Sequence, residues 1–242
     1  MGDALTSRQT QILKALIDEY IETAEPVGSE VLEKKYNLGV SSATIRNEMQ
    51  DLTQMGYLKQ PHTSAGRMPT SKAMKFYVGQ LMEEKQLSLA EEVKMKEEVW
   101  EARDDVDELM EEAVRILADR TRSLSVGVID DGRTWHAGLA NVFANPEFSD
   151  LGLCAGVFSF LEEDENLVEI FLRRLAGSSP VEILFGEDLN SPFLEPVGIV
   201  ATHFNIKNHQ GALGVIGPMR LSYPRVVPLL RHFGNIIEQV TT

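Results

Sequence analysis

The chain has 242 residues, of which 43% are hydrophobic and 25% charged, and its formal net charge is −14. This length suits one large or two ordinary globular domains with buried cores. No apolar run is long enough to span a membrane, and the first residues lack the apolar segment of a signal peptide. The single cysteine, Cys154, excludes an internal disulfide and indicates the reducing cytoplasm. We therefore expect a cytoplasmic protein without a membrane segment.

The negative charge is unevenly distributed along the chain. Residues 1–75 contain as many basic as acidic residues, so the whole net negative charge follows residue 75. Within residues 41–75 the basic residues outnumber the acidic ones, since only Glu48 and Asp51 are acidic there. A locally positive surface attached to an acidic body is compatible with DNA contact, and the acidic body limits non-specific binding.

Three helices are predicted in the N-terminal third. Apolar residues at spacings of three and four predict a first helix over about Ser7–Thr23. A second helix begins at Gly28 or Ser29, and a third begins after a Ser41 cap. The tight turn at Leu38-Gly39 joins the second and third helices. Two short helices joined in this way are typical of a helix-turn-helix.

The third predicted helix has a polar side suited to the major groove of DNA. Ile45, Met49 and Leu52 form a narrow apolar stripe that we expect to face the core. Small, amide and arginine side chains on the other side can touch thymine methyl groups, pair with adenine, and bind guanine or phosphate. A merely solvated face is the alternative, but such faces favour Glu and Lys over Ser, Asn and Gln. We predict groove contacts from Ser42, Ala43, Arg46, Asn47 and Gln50, and DNA-backbone contacts from Ser41 and Thr44.

A short strand and a basic loop follow this helix. Met55-Gly56 ends the helix, Tyr57–Gln60 reads as a strand, and Pro61–Pro69 forms a loop with Gly66 at its tip. A strand, a basic loop and a return strand behind a helix-turn-helix make a winged helix, whose wing commonly contacts the minor groove or the phosphates. A plain connecting loop is the alternative. The predicted DNA-backbone contacts here are His62, Ser64, Arg67 and Lys72.

The rest of the chain is predicted as a helical connection followed by a mixed domain. Residues 76–122 read as one long helix, either packed on its own domain or paired in part with its symmetry mate. Beyond it, strand patterns and two helical patterns alternate with turn signals, which indicates an antiparallel α+β domain over residues 123–242. The strand patterns are Leu124–Ile129, Trp135–Leu139, Val181–Phe185, Val197–Phe204 and Ala212–Ile216, and the helical patterns are Glu165–Ala176 and Tyr223–Val240.

The sequence does not predict an enzyme. Gly211, Gly214 and Gly217 lack the spacing of a dinucleotide or phosphate loop. His203 and His209 have no evident carboxylate or nucleophile partner, and no Cys or His pair has metal-ligand spacing. We therefore expect no catalytic residues, no metal and no cofactor.

Several segments resemble one known family, the heat-inducible transcription repressor HrcA. The segments NLGVSSATIRNEM and QPHTSAGR, which lie within residues 37–67, are long and specific to it. Asn145–Leu151, Gly214–Arg220 and Tyr223–Val227 are similar to later parts of the family. The resemblance implies a winged helix, residues 1–75 here, joined to a GAF-like domain that carries an inserted dimerising domain. Family members are longer, however, and only a short turn separates Ser125–Val128 from Asp131–Trp135, where the insertion is expected. We interpret the chain as a short form without the insertion.

The resemblance also implies a function and partners. The expected function is repression of heat-shock chaperone genes through an inverted-repeat operator on double-stranded DNA, bound as a homodimer. The chaperonin is an expected partner, because in the family it helps the repressor to reach its active form. Two other functions stay open: a winged-helix regulator that senses a small ligand, and a protein-interaction module that no longer contacts DNA.

Overall fold

A computed structural model describes residues 5–175, 177, 179–189 and 194–241 of the chain. These residues form two compact units, which divide between Glu83 and Glu84. Unit 1 is mainly helical with a small sheet, and unit 2 is built on a five-stranded antiparallel sheet. The predicted class, a winged helix-turn-helix with an antiparallel GAF-like α+β domain, is confirmed.

Unit 1 begins with three capped helices. They are α1 (Ser7–Thr23), α2 (Ser29–Lys35) and α3 (Ser42–Gln54). Thr6 caps α1 in a reciprocal capping box with Gln9, and the Ser41 hydroxyl accepts the Thr44 amide at the start of α3. These starts satisfy amides that would otherwise lack partners, and all three predicted helices are confirmed.

A small sheet and a fourth helix complete unit 1. Strands β1 (Leu58–Lys59) and β2 (Met68–Pro69) pair antiparallel. Helix α4 (Ser71–Phe76) follows and continues into a π-helical turn at Tyr77–Leu81. The buried side chains of the helices and of β1 form the core that fixes the position of α3: Ile12, Leu13, Leu16, Ile17, Leu32, Ile45, Met49, Leu52 and Leu58. Burial of these side chains is the main source of the unit's stability.

Unit 2 opens with two helices, not with the single long helix predicted for residues 76–122. They are α5 (Leu89–Glu101) and α6 (Val106–Thr121). The chain breaks between them because Asp105 caps α6, accepting the amides of Asp107 and Glu108. Both helices pack on unit 2, where Met95, Val99 and Leu109 are fully buried.

The sheet of unit 2 has the strand order β4-β3-β7-β6-β5, with every neighbouring pair antiparallel. Its strands are β3 (Leu124–Ile129), β4 (Thr134–Ala137), β5 (Val181–Phe185), β6 (Val197–Ile206) and β7 (His209–Pro218). Gly132 turns the chain between β3 and β4 with a φ of 95°, a conformation that glycine adopts without strain. All five predicted strands are present, within a few residues of their predicted ends.

Helices cover both faces of this sheet. On one face, α6 and α10 (Tyr223–Thr241) pack against the strands. On the other lie α7 (Leu139–Val142), α8 (Leu151–Leu161) and α9 (Asp164–Val168), with a π-helical turn at Glu169–Arg174 and 3₁₀ turns at Pro146–Ser149 and Gly186–Leu189. The pattern Glu165–Ala176 predicted the α9 region, although Ala176 itself lies outside the described residues. Helices α7 and α8 had no sequence prediction.

Candidate nucleic-acid interface

Helix α3 presents the polar side that the sequence predicts. Ile45, Met49 and Leu52 are buried, as expected for the stripe that faces the core. The opposite side is open to solvent: Ala43, Arg46, Asn47 and Gln50 are exposed, whereas Ser42 and Thr44 are half-buried. The side chains predicted to read base edges therefore share one accessible surface of a firmly packed helix, which a major groove can accommodate.

The first turn of α3 is fixed by bonds within the protein. The Ser41 hydroxyl accepts the Thr44 amide at 3.3 Å and lies 3.1 Å from the Thr44 hydroxyl. The Ser42 amide donates to Oε1 of Glu33 in α2 at 2.9 Å. A carboxylate at this position compensates the positive end of the helix dipole and couples α2 to α3. Glu33 was not identified from the sequence, because its contact is made across the turn.

The wing loop between β1 and β2 is held by a glutamine. Nε2 of Gln60 donates to the carbonyl oxygens of Thr63, at 3.0 Å, and Ala65, at 2.9 Å. His62 and Ser64 lie at the exposed end of the loop, with Nδ1 of His62 3.2 Å from the Ser64 hydroxyl. Gln60 thus shapes the loop that displays His62 and Ser64. It was missed in the sequence, where a polar residue after a strand has no distinguishing mark.

The return side of the wing is joined to the connection between α1 and α2. The amide of Val27 donates to the Arg67 carbonyl and the amide of Arg67 donates to the Val27 carbonyl, both at 2.9 Å. A Cβ atom placed on Gly66 would lie 2.4 Å from the Val27 carbonyl carbon. Gly66 therefore allows a close backbone approach at the base of the wing. Its predicted place at the tip of the loop is wrong.

Arg67 is half-buried beside α3 rather than projecting from a tip. Its Nε donates to the Thr53 hydroxyl at 3.2 Å. A groove of about 420 Å³ lies between α2, α3 and the wing, and both Arg46 and Arg67 line it together with Gln60 and Ser64. The two arginines, 21 positions apart in sequence, are thus brought to one concave surface. Glu30 also lines the groove, so two guanidinium groups face one carboxylate and leave a net positive potential next to the exposed side of α3.

Lys72 lies at the C-terminal end of α3, away from the Ser41 cap. Its Nζ donates to the carbonyl oxygen of Met55 at 2.7 Å and is 4.3 Å from the centre of the Tyr57 ring. The lysine therefore caps the last turn of α3 and lies over the ring of Tyr57, the residue before β1, while its side chain remains exposed. A predicted DNA-backbone contact thus also has a structural partner in the protein.

A polar network behind the helix-turn-helix joins α1 to the end of α2. Glu19 is buried, and its carboxylate accepts from Nζ of Lys35 at 2.7 Å and from the Tyr36 hydroxyl at 3.3 Å. Burial and the Glu19 charge raise the pKa of Tyr36 to about 12. The hydrogen bond to Glu19 raises the pKa of Lys35 as well. Both partners of Glu19 therefore keep their protons at neutral pH and position α2 against α1.

The described part of the chain lacks two other features, a metal-holding cluster and a membrane-spanning helix. It contains no group of three or more His, Cys, Asp or Glu side chains placed to hold a metal ion. The expectation that His209 lacks a carboxylate partner is wrong, since its Nδ1 lies 2.7 Å from Oδ1 of Asp130 across the neighbouring turns. No helix within the described ranges has both the length and the apolar character needed to cross a bilayer.

Comparison with known protein families identifies both units. Residues 4–83 match the family model "Winged helix-turn-helix transcription repressor, HrcA DNA-binding". Residues 71–227 match the model "HrcA protein C terminal domain". The first match contains the helices and the wing described above, and the second contains the sheet of unit 2.

Individual relatives agree with these matches. The heat-inducible transcription repressor HrcA of Symbiobacterium thermophilum is 27% identical over 338 aligned positions, which cover 98% of each protein. The protein of the same name from Clostridium perfringens is 47% identical over 119 positions, covering 49% of this chain and 35% of the relative. A crystal structure of a protein described only as hypothetical has the same fold, with a TM-score of 0.75, 19% identity and 98% coverage of both chains.

The alignment with the Symbiobacterium protein also shows an internal difference in length. It spans 338 positions with nearly complete coverage of both proteins, whereas this chain has 242 residues. The relative therefore carries roughly a hundred internal positions that this chain lacks. The family models, the relatives and the geometry of α3 and the wing lead to one conclusion: the chain belongs to the HrcA family of winged helix-turn-helix transcription repressors.

Proposed function

We propose that this protein represses heat-shock chaperone genes by binding an inverted-repeat operator as a homodimer in the cytoplasm. The relatives' name, heat-inducible transcription repressor, supports the class of genes. Dyad symmetry of the operator follows from two identical subunits, each of which reads one half-site. In this proposal residues 1–75 bind DNA, residues 76–122 connect, and residues 123–242 form the GAF-like domain.

The exposed polar side of α3 is the observation that carries this proposal. In the bound state, Ser42, Ala43, Arg46, Asn47 and Gln50 face base edges in the major groove. The wing, with His62, Ser64 and Arg67, lies along the adjacent DNA backbone. Ser41, Thr44 and Lys72, at the two ends of α3, approach the phosphates that border the groove. The acidic unit 2 is repelled by DNA, so contact is confined to this surface.

Selection from a pool of random-sequence duplexes tests the proposal without assuming any operator sequence. We expect the enriched sequences to be inverted repeats with half-sites about one helical turn apart, or a multiple of it. Insertion of about half a helical turn, roughly 5 base pairs, between the half-sites places them on opposite faces of the duplex and should abolish tight binding. Enrichment of no sequence, or of an asymmetric single site, contradicts the proposal.

The chaperonin is proposed as the partner that links repression to heat. In this scheme, unfolded proteins occupy the chaperonin during heat stress, so less repressor reaches its active form and the genes are transcribed. The test is recovery of operator binding after the denatured chain is diluted from urea, with and without chaperonin and ATP. Equal recovery under both conditions, together with unchanged recovery when an unfolded competitor is added, contradicts this part of the proposal.

A ligand-sensing regulator is the alternative, and one feature of unit 2 bears on it. A depression of about 420 Å³ is lined by His203, Asn205 and Glu238 among other residues. Its polar groups already bond within the protein: Nε2 of His203 lies 2.7 Å from the Phe171 carbonyl oxygen, and Glu238 accepts from the amide and side chain of Asn205. These contacts favour a structural role. A reproducible rise in melting temperature with a defined metabolite would support the alternative.

A further inference from the structure

One surface of unit 2 is apolar and exposed. On α7, Leu139 is 39% and Phe143 60% exposed, and on α8, Leu151 is 81% exposed. The rings of Phe143 and Phe158 are in contact, with centroids 5.8 Å apart, so the two helices contribute to one continuous surface. We call it the α7–α8 face, defined by Leu139, Phe143, Leu151, Ala155 and Phe158.

The outward side of α8 allows another helix to approach closely. Leu151, Ala155 and Phe158 follow one another at spacings of four and three, so they lie along one line of the helix. The neighbouring outward positions, Gly152 and Ser159, are also small and exposed. Small residues between large apolar ones let helix axes come near the short end of the usual 8–10 Å separation.

The α7–α8 face is nearly free of charge in a strongly acidic chain. Between residues 139 and 161 only Glu147 and Asp150 are charged, although a quarter of the whole sequence is charged. Glu147 is paired with Arg220, whose Nε lies 2.7 Å from its Oε1. Asp150 accepts the Gly152 amide at 2.7 Å as the cap of α8. Two copies of a chain with a net charge of −14 repel each other, and the centre of this face lets them approach because its exposed carboxylates, Asp150 and Glu162, lie at the two ends of α8.

A second row of exposed apolar side chains, on α5, lies among many charged residues. Leu89, Val93 and Trp100 are exposed there. Five glutamates, at positions 91, 92, 97, 98 and 101, and only two lysines, at positions 94 and 96, lie on the same helix, which is therefore net negative. Pairing of α5 with its own copy would bring these carboxylates together, which costs free energy in each contact. The charge distribution therefore favours the α7–α8 face over α5 as the surface for self-association.

We propose that the α7–α8 face binds the same face of a second copy of this chain, across a twofold axis. The inference rests on the proposed function, which requires two subunits, and it names where they meet. The roughly one hundred internal positions that the longer relative carries and this chain lacks cannot form an interface here, so a dimer of this chain must use a surface that it retains. Phe143 and Leu151 alone leave roughly 250 Å² of surface in water, about a third of the ~800 Å² that a standard interface buries on each partner.

Sedimentation equilibrium of the full chain, without DNA, tests the inference. The wild type is expected to have twice the mass of one chain at micromolar concentration. The double variant Phe143→Asp/Leu151→Asp is expected to dissociate about 100-fold more readily, because it places carboxylates against each other at the centre of the interface. The matched control, Leu89→Asp/Val93→Asp, adds the same charges to the apolar row on α5 and should remain a dimer.

Oxidative crosslinking gives a second readout that does not depend on a destabilising change. The single native cysteine, Cys154, is buried and should not crosslink in the wild type. The Ala155→Cys variant places a thiol on the outward side of α8 near the proposed twofold axis, so mild oxidation should yield a covalent dimer. A monomeric wild type, a Phe143→Asp/Leu151→Asp variant that is still dimeric, or no crosslink in Ala155→Cys overturns the inference. A dimer through this face that enriches no duplex contradicts the proposed function and leaves this inference in place.

Discussion

Arg67 in the wing is bound to Thr53 in α3: its Nε donates to the Thr53 hydroxyl at 3.2 Å, and that hydroxyl donates to the Met49 carbonyl oxygen at 2.7 Å. The guanidinium is therefore oriented by α3 itself. Because the same arginine pairs through its backbone with Val27, it connects the wing, α3 and the start of α2. A substitution at this position removes the side-chain bond to Thr53 and leaves the backbone pairing with Val27 in place.

Replacement of Arg67 by alanine should weaken binding to every DNA sequence. The guanidinium supplies charge rather than base recognition, so we expect the slope of log affinity against log salt to decrease in magnitude by about 0.9. Fluorescence anisotropy over a salt series measures this slope. The control Arg173→Ala removes an exposed arginine that is paired with Glu169 in unit 2, and it should leave both affinity and slope unchanged. An unaltered slope in Arg67→Ala contradicts the assigned contact.

Replacement of Asn47 by alanine should instead relax the choice of base at one position in each half-site. A bidentate amide–adenine pair discriminates by about 1–3 kcal/mol, and the variant should lose that preference while its salt dependence stays the same. Affinities for operators substituted one base pair at a time provide the test. Asn208→Ala, in an exposed turn of unit 2, is the matched control. If Asn47→Ala retains the full base preference, the residue does not read DNA.

Gly66→Ala should damage the wing. The new Cβ would lie 2.4 Å from both the carbonyl carbon and oxygen of Val27, so the backbone must move apart and both bonds between Val27 and Arg67 weaken. We expect a loss of stability of about 1–3 kcal/mol, as for other overpacked sites, together with weaker DNA binding. Thermal unfolding and operator binding measure the two effects. Gly79→Ala, where the added Cβ meets nothing within 4 Å, should be tolerated in both measurements.

Alkaline pH should weaken unit 1 in part through Tyr36. Its pKa in the folded state is about 12, above its ordinary value of 10.0, because burial and the Glu19 carboxylate disfavour the phenolate. A raised folded pKa means that this contribution to stability is complete below about pH 10 and is lost as the pH rises towards 12. Tyr36→Phe should therefore show a shallower loss of stability over this range. Difference absorbance titration against the wild type checks the pKa; a Tyr36 that titrates near 10 contradicts the assignment.

Most of the helical and strand pattern could be predicted from the sequence, because it depends on local signals. The Ser41 cap and the stripe of Ile45, Met49 and Leu52 were sufficient to place α3 and its buried side. The strand patterns Leu124–Ile129 and Trp135–Leu139, separated by a short turn, likewise placed the β3–β4 hairpin. These features arise from periodicity and turn chemistry within a few residues, which a single sequence contains.

Contacts between distant residues were not predictable in this way. The Asp105 cap that divides the connecting region was hidden in a run of charged residues, where every aspartate is an equal candidate. Gln60, Glu33 and the backbone pairing of Val27 with Arg67 depend on how separate elements meet in three dimensions. The apolar run of α8 has little one-sided character, so its period did not indicate a helix. The DNA contacts of the predicted site residues stay predictions until a complex is measured.

The two backbone hydrogen bonds that join the wing to Val27 have a consequence for binding thermodynamics. A free loop must be immobilised when it meets a ligand, and the entropy lost then opposes association. Here the backbone bonds at Val27 and the clamp at Gln60 restrict the loop already in the unbound protein. Unit 1 is therefore preorganised. Because the distance between α3 and the wing loop is fixed in the unbound protein, we expect binding to favour duplexes whose groove width matches that distance without distortion.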